Sequence, residues 1–160
     1  MRESIRKEAA VARIEWDTGM ETGDAAVDHQ HQAIHELLNQ LESAADNELE
    51  VMRVLDFLTE YVVVHFATEE ELMVRVGYPT SLAAPHIAEH SGFTEAVGRQ
   101  VLAFRCGRLS STEPLIDFLR DWLMTHVHDC DQQLVEYIRA RGVVASLPAE
   151  WIKAEQRVCA

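Results

Sequence analysis

Apolar residues recur at spacings of three and four along most of the chain, and no stretch alternates apolar with polar as a half-buried strand would. Four long helical segments follow from that pattern. The first runs from about Ala25 to Ala44, with Ile34, Leu37, Leu38 and Leu41 on one face. The second spans about Asn47 to Val76, with Asp46 placed to cap its start and Gly77, followed by Tyr78-Pro79, to stop it. The third is predicted to begin near Pro85, a residue suited to the first helical position, and to end at Cys106-Gly107. A Ser-Ser-Thr cap at 110–112 opens the fourth, with Pro114 in its first turn and Gly142 closing it. Short connections between long amphipathic helices favour antiparallel neighbours, so the expected fold is all-α, an up-down-up-down four-helix bundle. Three regions are expected: an N-terminal arm and loop over residues 1–24, the bundle over 25–142, and a C-terminal extension over 143–160. In the extension, LPAEWIKAEQRV has the pattern of a short helix.

With 160 residues the chain is about one domain long and large enough to bury a core without a covalent staple. Its 48% hydrophobic and 26% charged content is that of a soluble globular protein. The N-terminus, MRESIRKEAAVARIEW, lacks an apolar signal core, which makes the cytoplasm the expected compartment. Cys106, Cys130 and Cys159 show no C-x-x-C spacing, which argues against a disulfide framework or a zinc knuckle. A net charge of −13, from 27 acids and 14 bases, would repel nucleic acid and anionic membranes, so neither is expected as a partner.

The chemistry lies in polar residues on faces that should be buried. His31 falls on the first helix, His65 on the second, His86 and His90 on the third, and His126 on the fourth. His65/Glu69 and His86/His90 are spaced at i, i+4, which stacks each pair one turn apart on one face. Asp131 follows His126 by five, a rotation of roughly 140° on an α-helix, so the two are expected to reach a common cavity from different angles. A lone helical histidine is most often a surface or satisfied core residue. Five of them spread over four helices, with His65 behind YVVV and His126 inside DWLMTHV, call for another account. Five imidazoles and two carboxylates exceed what one tetrahedral zinc takes, whereas two six-coordinate ions with shared bridges would use all seven and leave a vacancy. Imidazole with carboxylate suits iron among the transition metals. A structural zinc or manganese site uses the same donor types.

Four segments, VDHQHQAIHELLN, HFATEEELM, YPTSLAAPHIAEH and DWLMTHVHDCD, occur in this order, and with them the chain resembles the bacterial members of the hemerythrin family over about residues 14–140, starting at Trp16-Asp17. The resemblance implies a non-haem di-iron site that binds O2 reversibly. It implies His86, His90 and His126 on one iron, His31 and His65 on the other, and Glu69 and Asp131 bridging both together with an oxo or hydroxo group. Ile34, Phe66, Trp122 and Val127 match the family's positions around the open site and would form an apolar O2 pocket. Glu69 would then be neutralised by metal, since no Lys or Arg lies between Phe66 and Val74.

His29 and His128 each sit two residues from a proposed ligand and should face elsewhere. His35 shares the face of His31 and is expected in core packing or in a hydrogen bond behind the ligands. Cys130 should point about 100° away from Asp131. The ferritin-like oxygen-activating enzymes carry Glu-x-x-His repeats, and none occurs in this chain. The expected function is therefore non-enzymatic: O2 carriage, storage or delivery. The alternative is O2, redox or nitric oxide sensing, with a protein partner reached through the C-terminal extension.

Overall fold

The computed structural model describes residues 15, 16, 18–44, 47–108 and 111–142. Among these every regular element is helical. A 3-10 turn, Thr18–Met20, leads into α1 (Ala25–Ser43), α2 (Glu48–Val76), α3 (Thr80–Arg105) and α4 (Glu113–His126). A π-helical turn, Val127–Asp131, then joins α4 to α5 (Gln132–Ala140) without a break in helical dihedrals. Consecutive long helices pack on each other, and α1 closes the ring against α4, which is a four-helix bundle.

The helix ends follow local chemistry. The cap of α2 is Asn47, whose side-chain oxygen accepts from the Glu50 N–H at 3.3 Å. Asp46, the expected cap, lies outside the described residues. Gly77 ends α2 at φ 63°, a left-handed conformation that glycine adopts without Cβ strain. Its N–H reaches Val74 O at 3.3 Å and that of Tyr78 reaches Met73 O at 2.8 Å, the paired bonds of a Schellman stop. The third helix starts at Thr80 and carries Pro85 in its interior, which corrects the expected start at Pro85. The Leu82 and Ala83 N–H groups both bond to Pro79 O, at 2.9 Å each, so the first turn is already closed before the proline. Pro85 removes one later bond, to Ser81, and both residues are exposed.

Before α1, the Asp28 carboxylate gathers the preceding loop. It accepts from the Thr22 N–H and hydroxyl, both at 2.7 Å, and from the Gly23 N–H at 2.9 Å. Arg139 on α5 donates to Thr22 O, which ties the loop to the far end of the bundle. Glu42 and Arg120 pair between α1 and α4.

Two apolar clusters fill the interior. The larger includes Ile34, Leu38, Leu58, Phe66, Phe93, Leu119 and Val127. The smaller holds Val27, Leu72, Met73, Tyr78, Leu134 and Ile138. On α1, α2 and the fourth helical column the two sets are separated by the stretches that carry His31, Glu69 and Asp131. The candidate chemistry thus occupies a polar layer between two dry ones.

Candidate metal centre

His31, His65, Glu69, His86, His90, His126 and Asp131 all lie in that layer, and all are buried. Their donor atoms form two groups, each gathered within 4.8 Å: Glu69, His86, His90, His126 and Asp131 in one, and His31, His65, Glu69 and Asp131 in the other. Both carboxylates belong to both groups. Three Nε2 atoms converge, with His126 at 3.1 Å from His86 and 3.0 Å from His90. Glu69 Oε2 stands 3.2 Å from His90 Nε2 and 3.4 Å from His86 Nε2, and 3.8 Å from His65 Nε2. Asp131 spans the groups, with Oδ1 3.1 Å from His86 and 3.2 Å from His126, and Oδ2 3.0 Å from His31.

The alignment of His126 with Asp131 depends on the π turn. An i→i+5 bond from the Gln132 N–H to Val127 O accommodates one extra residue in the turn. The rotation of roughly 140° expected from α geometry is therefore corrected: both side chains face the same cavity.

The ring orientations are set from outside. Thr68 spends its hydroxyl hydrogen on Val64 O at 2.9 Å, so its oxygen can only accept from the Gln30 amide nitrogen, at 3.4 Å. This turns the Gln30 carbonyl toward His65 Nδ1, at 3.1 Å. His65 Nδ1 is consequently the donor, and its Nε2 lone pair faces inward. His90 is fixed likewise by Glu70, whose Oε1 is 3.1 Å from Nδ1. Aromatic faces hold two rings flat: Phe66 stacks on His90 at 3.9 Å between centroids, and Trp122 on His126 at 4.2 Å.

The electrostatics of the metal-free cluster are conflicted. Burial drives the His65 imidazole down to about 4. Burial also disfavours charge on His86, but the Asp131 and Glu69 carboxylates beside it outweigh that and raise it to about 9. Burial and the Asp131 charge push Glu69 upward, and the surrounding histidines overcome both and bring it to about 2. Asp131 is held well below the usual carboxylate range against its burial by His126, His31 and His86.

The donor set fits bound cations. All four carboxylate oxygens of Glu69 and Asp131 are buried without a hydrogen-bond partner among the described residues. Leaving such charges uncompensated costs several kcal/mol. Imidazole nitrogens and carboxylate oxygens that approach one another to 3.0–3.2 Å need a proton or a cation between them. Two donors about 2.1 Å from one ion and at right angles stand about 3.0 Å apart, which is the spacing found here.

Ile34, Phe66 and Trp122 line a small cavity with His65, Leu58 and Phe93, leaving about 10 Å³ for a water-sized sphere. Val127 is not in its wall. It is buried against the larger apolar cluster and borders an open groove with Met20, Met124 and His128. His29 and His128 are exposed, as expected. His35 is buried, with Nδ1 3.4 Å from the Asn39 amide and its ring edge-on to Trp16. Gln30 and Glu70 had no sequence signal beyond being adjacent to proposed ligands.

The fold and this layer define a four-helix protein built around a cation-binding cluster of histidine, glutamate and aspartate. Residues 22–138 match the family model for the hemerythrin HHE cation binding domain, and the chain belongs to the hemerythrin family. It is 34% identical over 132 residues to a bacteriohemerythrin of Stenotrophomonas maltophilia, covering 81% of this chain and 84% of that protein. Bacteriohemerythrin of Methylococcus capsulatus is 34% identical over 107 residues, 66% of this chain and 80% of the relative. A crystal structure of wild-type hemerythrin superposes with a TM-score of 0.73 at 30% identity, over 79% of this chain and 98% of the other. Among the described residues no helix is long and apolar enough to cross a membrane.

Proposed function

We propose that this protein binds O2 reversibly at a non-haem di-iron centre, and that it serves in O2 carriage, storage or delivery rather than in catalysis. The observation that carries the proposal is the sharing of Glu69 and Asp131 between two donor groups, one with three imidazoles and one with two. His86, His90 and His126 would hold one ion, His31 and His65 the other, and the two carboxylates would bridge them. A pair of ferrous ions, when bound, supplies two electrons and an open coordination position for O2.

The chain's own residues supply the rest. The ring of His65, kept neutral by burial and turned by Gln30, presents Nε2 beside the small cavity. Two imidazoles against three would leave the open position beside His31 and His65, and Ile34, Phe66 and Trp122 make the wall of the small cavity next to His65 apolar. That apolar wall would keep protons away from the open position. Carriage needs no more than this bundle.

The test is a visible spectrum of iron-loaded, reduced protein under argon, after admitting air, and again after removing O2, with an iron count per chain. Two irons and a band that comes and goes with O2 support the proposal. Irreversible oxidation on first exposure would turn the assignment toward redox sensing.

A further inference from the structure

Glu70 follows Glu69 on α2, so its side chain points about 100° further round the helix and away from the metal layer. It is 41% exposed, yet Oε1 reaches back to His90 Nδ1 at 3.1 Å. A carboxylate only accepts, so Nδ1 carries a hydrogen against Glu70. Glu69 Oε2 stands 3.2 Å from Nε2 on the inner side, and with a cation between those two atoms the Nε2 lone pair faces inward. The corresponding partner of His65 is an uncharged amide. The Nδ1 atoms of His31, His86 and His126 have no hydrogen-bond partner among the described residues. Among the described residues, His90 is the one of these five imidazoles with a carboxylate against Nδ1. His90 is buried but Glu70 is largely solvated, so the contact contributes little to folding and its consequence lies with the ring it orients.

We propose that Glu70 is a positioning residue that holds His90 as an inward-facing, electron-rich donor, making the ion position of His86, His90 and His126 the tighter of the two and lowering its reduction potential. The physical basis is general: a carboxylate behind a ligating imidazole fixes its tautomer and strengthens it as a donor, and a stronger donor favours the higher oxidation state. The proposal rests on the di-iron reading above.

The full chain is compared with Glu70→Gln and Glu70→Leu. In metal-free protein, long-range proton–nitrogen NMR of the histidine rings reports the His90 tautomer without any iron. Anaerobic titration with ferrous iron and a redox titration of the loaded protein follow. The wild type and Glu70→Gln, which keeps a carbonyl acceptor, are expected to show the Nδ1–H form and two irons, with the midpoint potential higher in Glu70→Gln. Glu70→Leu is expected to lose that tautomer preference and to weaken the tighter iron by about 10–100-fold, with thermal stability of the metal-free chain unchanged. An unchanged His90 tautomer and unchanged iron affinity in Glu70→Leu would overturn the proposal. A wild type that takes up no iron would overturn the di-iron reading and the potential assigned to Glu70, while the NMR still decides separately whether Glu70 orients His90.

Discussion

His126 Nε2 stands 3.2 Å from Asp131 Oδ1 although the two lie five positions apart, because the helix passes through a π turn between them. Two changes of length test that relationship. Deleting the exposed His128 leaves a four-residue α spacing, about 400° of rotation, which returns to the same face. That variant should stay folded and retain metal. Inserting one alanine after His128 turns Asp131 by a further 100° or so and should abolish tight binding, read by metal titration, with helical circular dichroism retained.

Removing metal should destabilise the protein, because a ligand that binds only the folded state stabilises it by mass action. The thermal midpoint of loaded protein should fall on adding a chelator. In Glu69→Gln, which removes a carboxylate shared by both donor groups, the difference between loaded and chelated midpoints should largely vanish. A full wild-type difference in the variant would remove Glu69 from the proposed ligand set.

Two histidines shift in opposite directions from the ordinary 6.5, and their signs give the metal-free protein a stability optimum. His86 is raised to about 9, so its contribution is complete below 6.5 and disappears as pH rises through 9. His65 is lowered to about 4, so its neutral form costs stability as pH falls from 6.5 toward 4. Urea midpoints of metal-free protein should therefore peak near pH 6.5. A curve that keeps rising to pH 9 would contradict the His86 shift.

Gln30 turns His65 through the chain of bonds that begins at Val64 O. Gln30→Leu removes the acceptor behind Nδ1. Metal affinity at the His31/His65 position should drop by about 10–100-fold, so that stoichiometry at limiting iron falls from two toward one. Retention of two tightly bound irons would show that packing alone orients the ring.

Enlarging Ile34 to Phe should fill the small cavity beside His65. Overpacking of that kind typically costs about 1–3 kcal/mol of stability. O2 uptake by the loaded protein should slow while the iron count stays at two, and stopped-flow mixing with oxygenated buffer separates these effects.

Much of this was legible in the chain because helix periodicity is strong. The four columns, the stop at Gly77 and the convergence of seven donors followed from spacing and order. Pro85 misled because a proline one turn inside a helix looks the same in sequence as one that begins it, and the bonds to Pro79 O decide between them. The π turn was invisible because periodicity assumes 3.6 residues per turn. Gln30 and Glu70 escaped because their roles depend on which neighbouring helix they face. Val127 lay beside a proposed ligand in sequence, but it faces the larger core and a groove rather than the cavity. Residues 1–14 of the N-terminal arm and the extension over 143–160 lie outside the described residues, and with them any output through the extension.

The central claim is that Glu69 and Asp131 are shared by two ions. Anomalous X-ray diffraction from crystals of iron-loaded protein, collected at the iron edge, tests it most directly. The account predicts two iron peaks, both within bonding reach of Glu69 and Asp131, one flanked by His86, His90 and His126 and the other by His31 and His65. A single peak, or two peaks with no carboxylate in common, would contradict it.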